Sequence, residues 1–363
     1  MINCDQVDRC GDSVYGIIRD LLFLMEPERA HSTTLRLLSA TAPLGLGCLV
    51  GARGTPALPC KVMGIEFPNP VGLAAGMDKN ADYITALSRL GFGFIEVGTV
   101  TPRPQPGNTP PRVFRIPQRQ ALINRLGFNN KGVDHLVRQV RRSGYRGVLG
   151  INIGKNTDTP VERAVDDYVI ALRKVYAYAS YVVVNISSPN TPRLRTLQHG
   201  LLLDELLSTL KAEQRHLSVL NGRYVPLVIK VAPDLDNEAI DVLAQQLQEH
   251  AVDGVAATNS TLSREGVEGL RYMTEGGGLS GAPLLERSTR VLQRLHAVLE
   301  DRIPLIGVGG IVYGADAVQK MKAGADLVQI YTGLVYRGPE LIWEIVQALA
   351  EQCADQASLA EEI

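Results

Sequence analysis

The chain has 363 residues, enough for one large α/β domain or two ordinary domains. A hydrophobic content of 45% with 21% charged residues excludes an intrinsically disordered chain, and a formal net charge of −1 gives no general attraction to nucleic acid. The five cysteines form no CxxC pair and the six histidines form no HExxH, which argues against a disulfide scaffold, a structural zinc or an iron–sulfur site and favours a reducing cytosolic compartment.

The N-terminal region predicts two short amphipathic helices. Apolar residues recur at helical spacing over 14–25, and Pro27 fits the first turn of a second helix. An apolar, Gly-rich segment at 42–52 and a small hairpin over 60–67 follow. The segment 42–52 is too short to cross a bilayer, and no secretory signal is apparent. The two helices either cap a barrel or form a hydrophobic platform that rests on a membrane or admits a lipid-like ligand.

From about residue 70, apolar runs alternate with helical segments. The predicted strands are 71–76, 94–100, 147–154, 181–188, 226–231, 254–259, 303–311 and 327–332. The helical segments follow near 79–91, 130–143, 160–179, 202–219, 236–250, 284–299, 314–323 and 338–351. Eight such units with continuously apolar strands predict an α/β fold, the (β/α)8 TIM barrel. A doubly wound open sheet is the alternative, but no GxGxxG follows the first strand.

Polar side chains are concentrated directly after the fourth predicted strand. Two amides, Asn185 and Asn190, and two hydroxyls, Ser187 and Ser188, lie within six residues. In a parallel barrel the carboxyl ends of the strands carry the catalytic groups. The amides suit a planar, hydrogen-bonding substrate, and a hydroxyl can move a proton. The alternative is a polar loop without a catalytic role that joins the strand to the next helix and contains Pro189.

Other strand ends carry glycines or a lysine. The pair 309–310 and the insertion 276–281 allow backbone amides to approach an anion, and together they favour a phosphorylated cofactor or substrate, although each alone is also typical of a tight turn. Lys230 interrupts an apolar strand, and a buried ammonium is costly unless it has a partner or a function. It could form a Schiff base with a substrate, or it could stabilise a negative charge that develops during a reaction. Lys79, beside Asp78, is either functional or part of an exposed ion pair.

These segments, taken in order, match a known family. The sequence resembles the flavin-dependent dihydroorotate dehydrogenases, specifically the quinone-linked, membrane-associated class, over nearly its whole length. The motifs that carry the resemblance are AAGMDK (74–79), GTVTPRPQPGN (98–108), NRLGFNN (124–130), GINIGKN (150–156), NISSPNTP (185–192), KVAPD (230–234), GGLSG (277–281) and GVGGI (307–311). So many long motifs in one order make the resemblance specific.

The resemblance implies oxidation of (S)-dihydroorotate to orotate in pyrimidine biosynthesis, with one FMN per chain. Ser188 would be the base that removes the C5 proton while a hydride leaves C6. The implied substrate-binding residues are Lys79, Asn124, Arg125, Leu126, Gly127, Phe128, Asn185, Asn190, Asn259 and Ser260. The implied FMN-binding residues are Ala75, Gly76, Met77, Asp78, Lys79, Thr99, Asn152, Asn185, Lys230, Thr258, Gly281, Gly310, Tyr331 and Thr332. No metal is expected.

The resemblance also implies a quinone as the final electron acceptor. The soluble classes carry Cys at the base position, whereas this chain has Ser188 and no cysteine near it. Residues 1–60 would then form a membrane and quinone-access region and residues 61–363 the FMN-binding barrel. His31, Arg115 and Tyr331 would lie near the quinone, although the sequence alone fits His31 equally to a helix surface. The implied location is peripheral, on the cytoplasmic face of the inner membrane of a bacterial cell. No nucleic acid or iron–sulfur partner is expected.

The sequence departs from the family pattern at three places, and two competing functions stay open. Arg193 stands where relatives often have Gly, Ser260 replaces a common Thr, and residues 1–13 extend beyond the usual start. Another FMN barrel, such as a tRNA-dihydrouridine synthase, is disfavoured because the balanced charge offers no basic face for RNA. A non-catalytic ligand-binding barrel is the second alternative, and it would bind FMN without reducing it.

Overall fold

The computed structural model describes residues 14–41 and 55–361 of the chain. In these ranges the strands are β1 (Cys60–Val62), β2 (Ile65–Phe67), β3 (Val71–Leu73), β4 (Phe94–Val100), β5 (Val113–Ile116), β6 (Ala121–Asn124), β7 (Val148–Ile153), β8 (Tyr181–Asn185), β9 (Leu227–Val231), β10 (Gly254–Ala257), β11 (Gly278–Gly281), β12 (Leu305–Val308) and β13 (Leu327–Ile330). Eight of them, β3-β4-β7-β8-β9-β10-β12-β13, close into a parallel barrel. The predicted (β/α)8 fold is confirmed.

Helices cover the outside of the barrel. They are α1 (Val14–Phe23), α2 (Pro27–Thr41), α3 (Ile84–Leu87), α4 (Val133–Ser143), α5 (Ala164–Val175), α6 (Gly200–Asn221), α7 (Asn237–Glu249), α8 (Leu285–Leu299), α9 (Gly314–Lys322), α10 (Thr332–Arg337) and α11 (Glu340–Glu361). Each predicted helical segment contains a helix. The first is reduced to the single turn of α3, extended by a 3-10 turn to Leu90. The short α10 was not predicted as a separate element.

The barrel interior is filled by large side chains at its amino-terminal end. Phe94 and Tyr181 meet edge to face with ring centroids 6.3 Å apart, and Phe67 packs edge to face on Phe94 at 5.2 Å. Phe67 belongs to the hairpin β1–β2, which is the hairpin predicted over residues 60–67. The hairpin therefore closes this end of the barrel, and any ligand must enter from the carboxyl ends of the strands.

Two insertions pair with each other over the carboxyl end of the barrel. Strands β6 and β11 pair antiparallel, with Asn124 opposite Gly278, and β5 pairs with the other edge of β6. From the sequence, 276–281 was predicted only as a glycine-containing insertion. Strand β11 is four residues long and contains two glycines, so it has no apolar alternation that would reveal it. Its pairing nevertheless brings Asn124 and Gly281 to the mouth of the barrel.

The two N-terminal helices lie at the same end. The hydroxyl of Tyr15 donates to the carbonyl of Val335 in α10 at 2.8 Å, and Arg115 in β5 donates to the carbonyl of Met25 at 2.7 Å. Ile17 and Leu21 of α1 are 62% and 63% exposed. No helix in the described ranges is long and apolar enough to span a membrane. The apolar segment predicted at 42–52 lies outside the described residues.

Candidate active site

The carboxyl ends of the barrel strands and the small sheet enclose a cleft. It contains about 1040 Å³ of space between protein atoms, part of it open to solvent. Of the site residues predicted from the sequence, those lining the cleft are Ala75, Gly76, Lys79, Thr99, Asn124, Leu126, Gly127, Phe128, Asn185, Ser188, Asn190, Lys230, Thr258, Asn259, Ser260, Gly281, Gly310, Tyr331 and Thr332. Residues from seven of the eight barrel strand ends and from two insertions therefore meet in one place, as parallel barrel geometry requires.

Ser188 is buried in the wall of this cleft, three residues beyond the end of β8. Its oxygen accepts a hydrogen bond from the backbone N–H of Asn190 at 3.2 Å. Within the described residues no group accepts the hydroxyl proton of Ser188. The neighbouring Ser187 is turned away, because its hydroxyl donates to Asn185 Oδ1 at 3.0 Å. The hydroxyl of Ser188 is therefore available to a ligand, while the hydroxyl of Ser187 is used in a hydrogen bond within the protein.

Side-chain amides surround Ser188 and are bonded to one another. Asn190 Nδ2 donates to the carbonyl of Asn124 at 3.1 Å, which joins the loop after β8 to the small sheet. Asn259 Nδ2 donates to the hydroxyl of Ser187 at 3.1 Å. The backbone N–H of Ser260 in turn donates to Asn259 Oδ1 at 2.9 Å. These contacts hold the amides in fixed orientations, as recognition of a planar ligand with N–H and C=O groups requires.

A chain of hydrogen bonds runs from the barrel interior to these amides. The carboxylate of Glu96, fully buried in β4, accepts from Asn152 Nδ2 at 2.8 Å. Asn152 Oδ1 accepts from the Thr99 hydroxyl at 2.6 Å, and Thr99 Oγ1 accepts from Asn185 Nδ2 at 3.0 Å. The amide of Asn152 therefore donates on one side and accepts on the other, and it links Glu96 to Thr99 and Asn185.

Lys230 lies at the end of β9, buried in the cleft wall. No hydrogen-bond or ion-pair partner of its ammonium is found among the residues the structure describes. A buried ammonium without a partner is costly unless a ligand supplies the opposite charge. The cleft is therefore suited to a group that carries or acquires negative charge.

Lys79 provides a second cation in the cleft. Its ammonium donates to the carbonyl of Gly76 at 3.1 Å. Burial lowers the pKa of Lys79 to about 8, while the carboxylate of Glu28 acts in the opposite direction. Burial also lowers the pKa of His31 in α2 to about 4, and the charge of Lys79 adds to that effect. His31 is therefore a neutral imidazole at physiological pH, adjacent to the cleft rather than part of its lining.

Glycines shape the cleft where the sequence predicted an anion site. Gly310 has φ +87°, and a Cβ there would lie 2.4 Å from the backbone nitrogen of Leu285, the first residue of α8. Gly281 has φ +98°, and its Cβ would lie 2.1 Å from the carbonyl of Gln120. The N-terminus of α8 lies against Gly310, and helix N-termini suit phosphate groups. The residues present are therefore compatible with a phosphorylated cofactor.

Several predicted site residues lie outside the cleft lining. Asn152 is behind Thr99, and Met77 is packed in the core. Asp78 accepts from the backbone N–H groups of Asp82 and Tyr83, so its role in the structure is to hold the loop after β3. The guanidinium of Arg125 is directed to Glu275, with N–O 2.6 Å.

Arg115 also lies outside the cleft lining, next to the N-terminal helices. It donates to the carbonyls of Phe23 and Met25, and its guanidinium stacks 4.6 Å from the ring centroid of Phe23. Tyr331 is the one residue of the predicted quinone set in the cleft lining, and burial raises its pKa to about 12.

Some residues of the site were missed from the sequence. Ser280, Gln329 and Ile330 line the cleft, and Glu96 lies at the root of the hydrogen-bond chain. A glutamate within the apolar strand 94–100 was the available signal. Arg193, a departure noted in the sequence, adopts φ +55°, a conformation that favours glycine. Its side chain pairs with Glu162 at 2.9 Å.

The fold and the cleft define a class of protein: a barrel enzyme with a cofactor-sized site at the carboxyl ends of its strands. The dihydroorotate dehydrogenase family matches residues 57–353. A protein of Acinetobacter baylyi named dihydroorotate dehydrogenase (quinone) is 59% identical over 337 residues, covering 93% of this chain and 99% of that protein. One of the same name from Nitrosospira multiformis is 57% identical over 336 residues, covering 93% and 96%.

Solved structures agree with this assignment. The crystal structure of DHODH from Eimeria tenella in complex with ferulenol superimposes with a TM-score of 0.82 at 35% identity, covering 92% of this chain and 93% of that chain. The chain belongs to the dihydroorotate dehydrogenase family. The resemblance inferred from the motifs is confirmed.

Proposed function

We propose that this chain oxidises (S)-dihydroorotate to orotate, with FMN as the hydride acceptor and a membrane quinone as the final electron acceptor. The observation that carries the proposal is the cleft itself. It combines the hydroxyl of Ser188, the ammonium of Lys230 and a set of oriented amides with a glycine-lined rim suited to an anion. The identity to proteins named dihydroorotate dehydrogenase (quinone) supports the same activity.

Ser188 acts as the base in this proposal. Its hydroxyl oxygen takes the C5 proton of the substrate, and its own proton passes to a water molecule or another relay, because a serine alone is too weak a base. The N–H of Asn190 holds the oxygen in place. FMN, when bound, supplies the acceptor for the hydride that leaves C6. Lys230 stabilises the negative charge that accompanies this transfer.

The remaining polar groups bind and orient the substrate. Lys79 lines the same cleft as Asn124 and Asn190 and would pair with the substrate carboxylate. Asn185 and Asn259 present amide groups that complement the N–H and C=O groups of the ring. Ser260 adds a hydroxyl at the same edge. Thr258, Gly281, Gly310 and Thr332 would hold the cofactor, with its phosphate against the glycines.

The N-terminal helices serve the quinone in this proposal. Residues 1–60 form the quinone-access and membrane-docking region, and residues 61–363 form the FMN-binding barrel. The exposed apolar side chains of α1, at the same end of the barrel as the cleft, support contact with a lipid surface. His31 in α2, Arg115 in β5 and Tyr331 in the cleft wall would contact the quinone head.

An anaerobic titration tests the proposal. The purified protein should be yellow, its flavin absorbance should bleach when dihydroorotate is added, and it should return when a ubiquinone analogue follows. A folded protein that binds FMN but does not bleach would be a ligand-binding barrel rather than this enzyme. Bleaching without reoxidation by quinone would contradict the proposed electron acceptor alone.

A further inference from the structure

Arg195 links three consecutive barrel loops, although it is not part of the cleft lining. It lies in the 3-10 turn Leu194–Gln198 that follows β8. Its Nε donates to the carbonyl of Ser187 at 2.9 Å, its Nη1 to Asp234 Oδ2 at 2.7 Å, and its Nη2 to the carbonyl of Ser260 at 2.9 Å. These acceptors follow β8, β9 and β10, which are neighbours in the barrel.

The chemistry of the guanidinium makes this contact a rigid one. Its donors lie in one plane with fixed directions, so three acceptors that satisfy it at once have fixed relative positions. Asp234 is itself held, because it accepts from the hydroxyl of Thr261 and from the backbone N–H of Leu262. The Arg195 side chain is only 20% exposed, which limits competition from water.

Both carbonyls belong to peptides at the proposed reaction site. The carbonyl of Ser187 is in the peptide group that continues into Ser188, and the N–H of Ser187 is bonded to Asn185 Oδ1 at 3.2 Å. The carbonyl of Ser260 is adjacent to the two substrate-binding side chains of Asn259 and Ser260. Fixing the two carbonyls therefore fixes the distance between the base and the groups that orient the substrate.

We propose that Arg195 is a positioning residue that acts through Ser188, by holding the loop of the base in register with the substrate-binding loop after β10. The inference rests on the proposed function. It predicts that loss of the guanidinium slows proton removal without releasing the cofactor, since the anion site lies on other strands. A misplacement of about 1 Å at a reacting group costs roughly 100-fold in rate.

The test is stopped-flow reduction of the holoenzyme by dihydroorotate under anaerobic conditions. The variant Arg195→Met keeps an unbranched stem and should slow flavin reduction by about 10- to 100-fold with FMN content unchanged. Arg193→Met is the matched control, because Arg193 lies two residues away in the same loop, is 66% exposed and pairs only with Glu162 among the described residues. It should reduce the flavin at the wild-type rate.

A double-mutant cycle separates positioning from general damage. If Arg195 acts through Ser188, then Ser188→Ala with Arg195→Met should be as slow as Ser188→Ala alone, within about twofold. If the double variant were slowed by the product of the two single-variant factors, the residues would act independently and the proposal would be overturned. A wild-type rate of flavin reduction in Arg195→Met would overturn it as well.

If Arg195→Met does not fold, a conservative variant provides the test instead. Arg195→Lys can reach only one carbonyl at a time, so it should give an intermediate rate and the same non-additivity with Ser188→Ala. A wild-type rate in Arg195→Lys would overturn the proposal as well. A wild-type enzyme that dihydroorotate does not reduce would contradict the proposed function instead.

Discussion

At the scale of single residues, the environments of Ser187 and Ser188 give adjacent hydroxyls different tasks. Ser188→Ala should keep FMN but slow flavin reduction by about 10²- to 10⁴-fold, the usual effect of losing a positioned base. Ser187→Ala removes a hydroxyl that bonds Asn185 and Asn259 but takes no proton from the substrate, so its effect should stay below about tenfold, the loss of about one net hydrogen bond. Single-turnover absorbance measures both rates. Equal slowing in the two variants would remove the distinction between them.

Lys79 should make ligand binding depend on pH. Its pKa is lowered to about 8, so its ammonium is present below that pH and is lost as the pH rises through it. Binding of the orotate carboxylate favours the charged form, so orotate affinity should be constant below pH 8 and fall up to tenfold per pH unit above it.

Spectral titration of the holoenzyme with orotate between pH 6.5 and 9.5 checks this dependence. In Lys79→Met the affinity should be weak and independent of pH across that range. Lys131→Met is the control, because Lys131 is exposed and pairs with Asp82 outside the cleft, and it should retain the wild-type profile. A pH dependence that survives in Lys79→Met would assign it to another group.

Some residues of the cleft and its surroundings could be predicted from the sequence, and others could not. Ser188, Asn185 and Asn190 follow an apolar run directly, so their position at a strand end was predictable from order alone. Arg195 was not predictable, because its acceptors Asp234 and Ser260 are 39 and 65 residues away. Such a contact depends on the closing of the barrel, which no local pattern encodes.

At the scale of elements, the glycine loop after β12 should decide cofactor retention. Gly310→Ala would bring a methyl group to 2.2 Å from the Cα of Leu285, so the loop and the start of α8 must separate. FMN affinity should fall at least about tenfold, equivalent to about 1.4 kcal/mol. Fluorescence titration of the apoprotein with FMN measures this change.

Gly222→Ala provides the control for backbone strain. Gly222 has φ +62° at the end of α6, yet a Cβ there meets nothing within 4 Å. It should lose some stability to its left-handed backbone but bind FMN normally. If both variants lost FMN equally, the cause would be strain rather than contact with α8.

The elements also show why the barrel was predictable and the small sheet was not. Each barrel strand is buried on both faces, so it appears in the sequence as a continuous apolar run of the kind typical of parallel sheets. Strand β11 has no such run, and its partner β6 is more than 150 residues earlier in the chain. The helices α1 and α2 were predictable because their apolar spacing is local.

At the scale of the whole molecule, the N-terminal helices are tied to the rim of the cleft. The guanidinium of Arg112 pairs with both carboxylate oxygens of Glu28 in α2, at 2.9 and 3.0 Å, and also donates to the carbonyl of Asn108. The side-chain amide of Asn108 donates to the carbonyl of Arg125, beside the substrate-binding loop. The helices are therefore joined to the barrel by a half-buried ion pair rather than by apolar packing alone.

Ile17 and Leu21 of α1 are exposed, and in the proposed function they meet a lipid surface. A pair of charge substitutions tests this contact. Ile17→Asp with Leu21→Asp should weaken binding to anionic lipid vesicles and reduce turnover with membrane-dissolved quinone. Turnover with a water-soluble dye should not change, because neither residue lines the cleft. The physical reason is the loss of buried apolar area, about 25 cal/mol per Å², together with charge repulsion from the vesicle.

Vesicle flotation measures lipid binding, and the quinone and dye assays on the same preparations measure turnover. Val219→Asp with Leu220→Asp is the matched control, because these residues are 84% and 67% exposed on α6, outside both N-terminal helices, and the variant should float with vesicles as the wild type does. Equal losses in the quinone and dye assays would mean that α1 supports the fold rather than access to the membrane. Equal loss of flotation in the control would assign the effect to net charge, since both double variants add two negative charges to the surface.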